Sequence, residues 1–282
     1  MKKNFNYVYK IIFILVFIYT TMFYYYNNKL CLCNEYFDLI THDNKNKKHD
    51  IFIIYYVFIN PINNWKDIII GQLKDIKDSG IICDTFHNIN LEIILSSYSM
   101  DNINDAIVII NDFFKDIAFN KYNIITINDN LYEYPGILHL YTKGVENPDA
   151  LFIYFHSKGM SFHNNVGRIT DEIKLTRYTL FYWEKIINIF NDKEHINKIT
   201  FPCSVEGWGW FNFFWVRGSY LKNCNKPIIT NDRYYYESWL GLEMKNSSYK
   251  DCYNFLSPDV PYYKPEEAAR YLHKLEIITK TS

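Results

Sequence analysis

The chain has 282 residues, 49% hydrophobic and 22% charged, which fits an ordinary globular protein and excludes a disordered or collagen-like one. Its 30 Lys and Arg against 31 Asp and Glu leave a net charge of −1, without the basic excess of a dedicated nucleic-acid binder, so no nucleic-acid partner is expected. Aromatic residues reach 19%, with 26 Tyr and 21 Phe set largely in Ile/Asn/Lys-rich text, so a cluster of rings counts toward function only inside a motif.

Residues 11–26 (IIFILVFIYTTMFYYY) carry no charge and follow Lys2, Lys3 and Lys10. With interfacial Tyr residues and a snorkelling Lys10, the run reaches the short limit of a membrane span. No small-x-small cleavage site follows it, which favours an uncleaved anchor over a removed signal peptide. Residues 1–29 are therefore expected to form a single-pass anchor with a cytoplasmic N-terminus, and residues 30–49 a polar stem.

From residue 50 the pattern alternates. Residues 51–59 (IFIIYYVFI), 91–95 (LEIIL), 122–127 (YNIITI) and 150–155 (ALFIYF) read as buried strands. Between them, 65–78, 103–119 and 135–144 have helical spacing, the first stopped by Gly80. This β-α-β-α-β-α-β order predicts an α/β fold with a mainly parallel sheet. Ligands of such sheets bind beyond the carboxyl ends of the strands, where Asn60, Ser96-Ser97, Asn128-Asp129 and His156-Ser157-Lys158 fall. After Gly159 the text turns mixed: a long helix over 171–190, short strands over 199–203 and 211–216, and helices over 218–223 and 234–244. No linker separates the two halves. The six cysteines include no CxxC pair, which argues against a zinc ribbon and leaves disulfides open.

Three stretches have the residue types for chemistry. In FHSKG (155–159), Lys158 can neutralise phosphate charge and His156 can bind a metal or donate to phosphate. In WGWFNFFWVRGSY (208–220), alternation puts Asn212, Phe214 and Val216 on one face and Phe211, Phe213, Trp215 and Arg217 on the other; aromatic faces beside polar groups suit sugar rings. In DRYYYESWLG (232–241), Asp232 is a natural N-cap and Glu237 a candidate general base. On spacing alone, each is also readable as structure: a polar loop, an aromatic core strand and a capped helix, the last two more readily so than as sites. Dinucleotide, P-loop, zincin and nucleophile-elbow motifs are absent, as is Asp-x-Asp. The near-match Asp192-Lys193-Glu194 follows a helix and reads as solvated.

Together with YYVFINPINNWKDIIIGQL (55–73), IYFHSKGM (153–160), the helix over 177–183 and NFFWVRGSYL (212–221), these stretches resemble a family of GT-A-fold glycosyltransferases. That family is known from large DNA viruses and bacterial surface-polysaccharide clusters, including rhamnan-synthesis proteins. The resemblance spans about residues 50–245 and includes the family's His-Thr/Ser-Lys-Gly turn. It implies a GT-A-like domain over 50–282, with a Rossmann-type nucleotide half and a mixed acceptor half. It also implies a nucleotide-sugar donor and a glycan or glycoprotein acceptor. Asn60, Ser97, His156, Ser157 and Lys158 would bind the donor, and Asn212, Trp215 and Arg217 the acceptor. Glu237, then Asp232, would be the base. Many GT-A enzymes hold Mn²⁺ or Mg²⁺ with an acidic pair where His156-Ser157-Lys158 stands here. That departure puts the divalent cation in question, with His156 its one candidate ligand and Lys158 a partial substitute. A catalytically inactive sugar-binding relative and a membrane structural protein are the competing readings.

The anchor is testable directly. Full-length protein should stay with membranes after a carbonate wash; uncleaved chain in the soluble fraction overturns the assignment.

Overall fold

The computed structural model describes residues 47–158, 167–242 and 247–279. The expected anchor over 11–26, most of the stem, and Gly159 lie outside the described residues. Among those described, no helix is long and apolar enough to cross a membrane.

The architecture is α/β. Strands β1 (Asp50–Phe58), β2 (Asn88–Ser96), β3 (Tyr122–Ile127), β4 (Leu151–His156), β5 (Lys198–Thr200), β6 (Phe214–Arg217) and β7 (Cys252–Asn254) form one sheet in the order β3-β2-β1-β4-β6-β5-β7. All run parallel except β6, which is antiparallel to both β4 and β5. From β1 the chain winds outward through β2 to β3, then returns to place β4 on β1's other side. The carboxyl ends of β1 and β4 therefore flank a topological switch point, the usual ligand crevice of an open parallel sheet.

Helices cover both faces. The helices are α1 (Trp65–Ser79), α2 (Met100–Lys115), α3 (Tyr134–Glu146), α4 (Thr170–Leu180), α5 (Trp183–Asp192), α6 (Gly218–Leu221), α7 (Arg233–Leu242) and α8 (Pro265–Lys274). Alternate residues of each strand feed two cores. Ile53, Tyr55, Ile93, Ile153, Phe155 and Trp215 pack beneath α1, α2, α4 and α5. Ile54, Tyr56, Phe152, Tyr154, Phe214 and Val216 pack beneath α3, α6 and α7. A sheet buried on both faces explains the near-continuous apolar strands. The stretch expected as one helix over 171–190 breaks after Leu180, and the expected strand over 211–216 begins only at Phe214, after a turn at 210–212. Asp192 at the end of α5 and the Lys193 and Glu194 that follow it are exposed, as expected.

Two buried polar clusters fasten the layers. Asp75 on α1 takes Arg168 at 2.6 Å and Arg177 at 2.9 Å, and Arg168 makes a two-pronged pair with the wholly buried Glu172. Burial, partly offset by Arg168, holds the Glu172 carboxyl above its ordinary pKa. In β5, the buried Lys198 ammonium lies 2.7 Å from Asp251 and donates to Tyr220 and Ser247; burial lowers its pKa. A Cys203–Cys252 disulfide closes a loop of 49 positions and ties the residues after β5 to the start of β7. Disulfides of this kind persist in oxidising compartments.

Loop-closure entropy assigns such a bridge roughly 2–4 kcal/mol. Reduction, or Cys252→Ser, should therefore lower the melting temperature of the folded chain by several degrees; an unchanged melting point under reductant overturns the bridge.

Candidate functional site

The carboxyl end of β4 carries His156, and its neighbours come from three other parts of the chain. Because β6 runs antiparallel to β4, with Tyr154 opposite Phe214, the residues leading into β6 lie beside the end of β4. Phe211 and Asn212 both adopt left-handed φ, 72° and 56°, which is rare for non-glycine residues and clusters at functional sites. The bend turns the Phe211 carbonyl onto His156 Nε2 at 3.1 Å and the Asn212 amide onto Glu133 at 2.9 Å and the Tyr236 carbonyl at 3.0 Å.

Glu133 sits at the N-cap of α3. Its carboxylate accepts from Asn212 and, at 3.2 Å, from the buried Tyr154 hydroxyl, and lies 3.8 Å from His156 Nε2. Burial and the nearby Glu133 charge keep the Tyr154 hydroxyl protonated, well above its ordinary pKa. Gly136 permits this approach. A Cβ there would stand 2.7 Å from Tyr56 Cβ and 2.8 Å from the Tyr154 hydroxyl, so any side chain would push the first turn of α3 off the sheet.

Burial lowers the His156 pKa, and Lys158 lowers it further, against the raising effect of Glu133 and Glu237. A carbonyl only accepts, so the neutral ring carries its proton on Nε2 and donates to Phe211. From below, Gln72 of α1 donates to the His156 carbonyl at 3.0 Å and to Thr176 at 3.2 Å, while accepting from Tyr55 at 2.7 Å. The wholly buried Gln72 thus fixes the end of β4 to α1 and α4.

The structure brings together four residues singled out from sequence. His156, Asn212 and Lys158 adjoin one another, the Lys158 ammonium standing 5.0 Å over the Phe211 ring; the half-buried Glu237 is close enough to bear on His156. Asn60 is half-buried at the end of β1, its side chain turned back to Ile62 N–H at 3.2 Å.

Other expected site residues lie elsewhere or are engaged by the fold. Trp215 is wholly buried, its indole N–H donating to the Thr179 carbonyl at 2.8 Å, so it offers no face to a sugar. Arg217 pairs with Leu151 at the opposite end of β4, five residues and therefore roughly 16 Å from His156. There it donates to the carbonyls of Phe190 and Ile196, capping the carboxyl end of α5. Ser97 and Ser157 are buried, their hydroxyls taken by backbone: Ser97 by Ile59 and Ser99, Ser157 by Phe58. Asp232 is exposed and accepts Tyr234 N–H at 2.9 Å, the capping role expected for it. Glu133 carries no sequence signal: it precedes Tyr134-Pro135 in a loop, and its partner Asn212 is 79 positions away.

Among the described residues, this arrangement offers a dication no ready set of ligands. The Nε2 of His156 uses its proton on Phe211, one oxygen of Glu133 already takes two donors, and among the described residues no three His, Cys, Asp or Glu side chains group together. The expected metal role of His156 through Nε2 therefore finds no support in the site.

Because the folded pKa of His156 is lowered, the unfolded chain binds more protons below the ordinary value of 6.5. Stability is therefore fully present above that pH and falls as the pH drops toward the folded value. His49 and His87, also lowered by burial, act in the same direction. The loss of melting temperature between pH 7 and pH 5 should be smaller in His156→Gln than in the parent; an equal loss means that His156 titrates normally.

Compared with known proteins, the chain matches no family model, no curated protein and no solved structure.

Proposed function

We propose that the chain is a GT-A-like glycosyltransferase that moves a sugar from a nucleotide-sugar donor to a glycan or glycoprotein acceptor. The observation that carries this reading is the convergence, at the switch point between β1 and β4, of His156, Lys158, Asn212 and Glu237 with the half-buried Glu133. A parallel half joined directly to a mixed half is what the resemblance implies for nucleotide and acceptor sides.

In this reading the donor diphosphate lies beyond the ends of β1 and β4. The Glu237 carboxylate takes the proton of the acceptor hydroxyl as that oxygen bonds to the anomeric carbon. The bond from the anomeric carbon to the diphosphate breaks with its electron pair, and the Lys158 ammonium stabilises the charge gathering on the leaving oxygen. Neutral His156 and Glu133 hold the strained 211–212 turn in place, so the walls of the site are set before substrate arrives. The disulfide and the apolar run over 11–26 support a domain held at a membrane on its oxidising side, with the N-terminus in the cytoplasm.

The full chain should slowly hydrolyse at least one nucleotide sugar. Lys158→Ala should raise the donor Kd about tenfold and flatten its salt dependence. Glu237→Gln should cut turnover ~10²–10⁴-fold with donor affinity retained. If no nucleotide sugar binds or is hydrolysed, the chain is instead a sugar-binding or membrane structural protein. Full activity in Glu237→Gln removes Glu237 as the base.

A further inference from the structure

The aromatic stretch that supplies the buried Trp215 also builds a second feature. Residues 205–210 and 262–265 enclose a cavity of about 400 Å³, within the usual range of small-molecule sites. Its walls are Trp208, Trp210, Tyr262 and Tyr263, all partly exposed, and its rim carries the exposed Glu206 and Lys264. The Trp208 and Trp210 rings meet at 79° with centroids 4.5 Å apart, forming a corner of two apolar planes.

The corner is set by the fold. Trp210 donates its indole N–H to the Tyr263 carbonyl at 2.9 Å, and the Tyr263 hydroxyl donates to Ser257 at 2.9 Å. Tyr263 N–H reaches the Cys203 carbonyl at 2.9 Å, Trp210 N–H the Pro202 carbonyl at 3.0 Å, and Ser204 N–H the Trp208 carbonyl at 2.8 Å. Cys203 is itself fastened through its disulfide to β7. Rigid aromatic walls lose little conformational entropy when a ligand enters. The Trp208 indole N–H is buried without an acceptor among the described residues, an unsatisfied donor on a ring that lines the cavity.

The chemistry selects a class of ligand. Two perpendicular aromatic planes suit a ring with apolar C–H faces. A rim of one carboxylate and one ammonium is neutral overall and offers both acceptor and donor, which favours hydroxyls over an anion such as a phosphate. A pyranose meets both requirements. The cavity also adjoins the site described above. Trp210 precedes Phe211, whose carbonyl holds His156, and Gly241 of α7, one turn beyond Glu237, packs against Glu206 and Trp208.

We infer that the cavity lined by Trp208, Trp210, Tyr262 and Tyr263 is a saccharide subsite, which binds a non-reacting pyranose of the acceptor beside the site at His156. Its part in catalysis rests on the glycosyltransferase reading; its binding of saccharide does not.

The test is saturation-transfer NMR on the full chain, in a detergent without a sugar headgroup. The probes are methyl pyranosides of glucose, galactose, mannose, rhamnose, xylose and N-acetylglucosamine, with N-acetyltryptophanamide as the apolar control. At least one pyranoside should receive saturation at its ring C–H protons, with a Kd on the order of 1 mM. Tyr262→Ala and Trp208→Ala should each weaken it about tenfold, as truncation of an aromatic anchor does. If Trp208→Ala fails to fold, Tyr262→Ala decides. The inference is overturned if no pyranoside binds, if Tyr262→Ala binds as tightly as the parent, or if N-acetyltryptophanamide binds as well as the best sugar. Pyranoside binding without nucleotide-sugar hydrolysis would leave the subsite standing while the glycosyltransferase reading falls; hydrolysis without pyranoside binding would do the reverse.

Discussion

The reversed direction of β6 is the constraint on which the rest of the structure depends. Had β6 run parallel to β4, its lead-in would lie at the amino end of the sheet, and the carboxyl end of β4 would face only its own loop. Running antiparallel, it delivers residues 208–213 to the switch point. That single reversal puts the Phe211 carbonyl on His156 and the Asn212 amide on Glu133, and sets the Trp208–Trp210 corner alongside. It also explains why Arg217 lies far from His156: an antiparallel strand that starts at one end of the sheet must finish at the other.

Holding the site requires support from beneath, because its groups are buried dipoles and charges whose alternatives to pairing are costly. Gln72 satisfies the His156 carbonyl, and one turn further along α1 Asp75 gathers two arginines of the α4 region. Breaking such a buried ionic cluster by removing one partner typically costs ~3–5 kcal/mol. The floor is thus an ordered polar network within an otherwise apolar layer. Lys158, Glu237 and the rim of the aromatic cavity stay partly open to solvent.

The parallel half was legible in the sequence because its signals are local. Four apolar runs, each followed by a polar strand end, gave β1 to β4 within a few residues, and Gly80 marked the end of α1 in a left-handed cap. The mixed half was less so. Alternation correctly separated Phe214 and Val216 from Phe213 and Trp215, yet both faces of the sheet are covered by helices, so alternation cannot tell which face meets a ligand. Alternation therefore points sugar-binding chemistry to Trp215, whereas the partly exposed rings of that stretch are Trp208, Trp210 and Phe211. Ser97 and Ser157 fell where donor ligands were expected, but a sequence does not reveal that backbone groups claim a hydroxyl. Glu133 and β7 escaped because a lone loop carboxylate and a three-residue strand have no period to detect.

The Cys203–Cys252 bridge and the Trp210–Tyr263 contact join segments about fifty positions apart, and both close on the late part of the chain. Strands β1 to β4 need nothing beyond residue 156 to pair with one another. A polypeptide emerging from the ribosome can thus lay down its parallel half while Trp208 and Trp210 still lack their far wall. For that interval these rings stay open to water, where transiently exposed apolar surface invites aggregation. Oxidation of Cys203 must also wait for Cys252 to emerge. The Trp208–Trp210 corner is therefore among the last parts of the molecule to be built, and its completion depends on oxidative maturation.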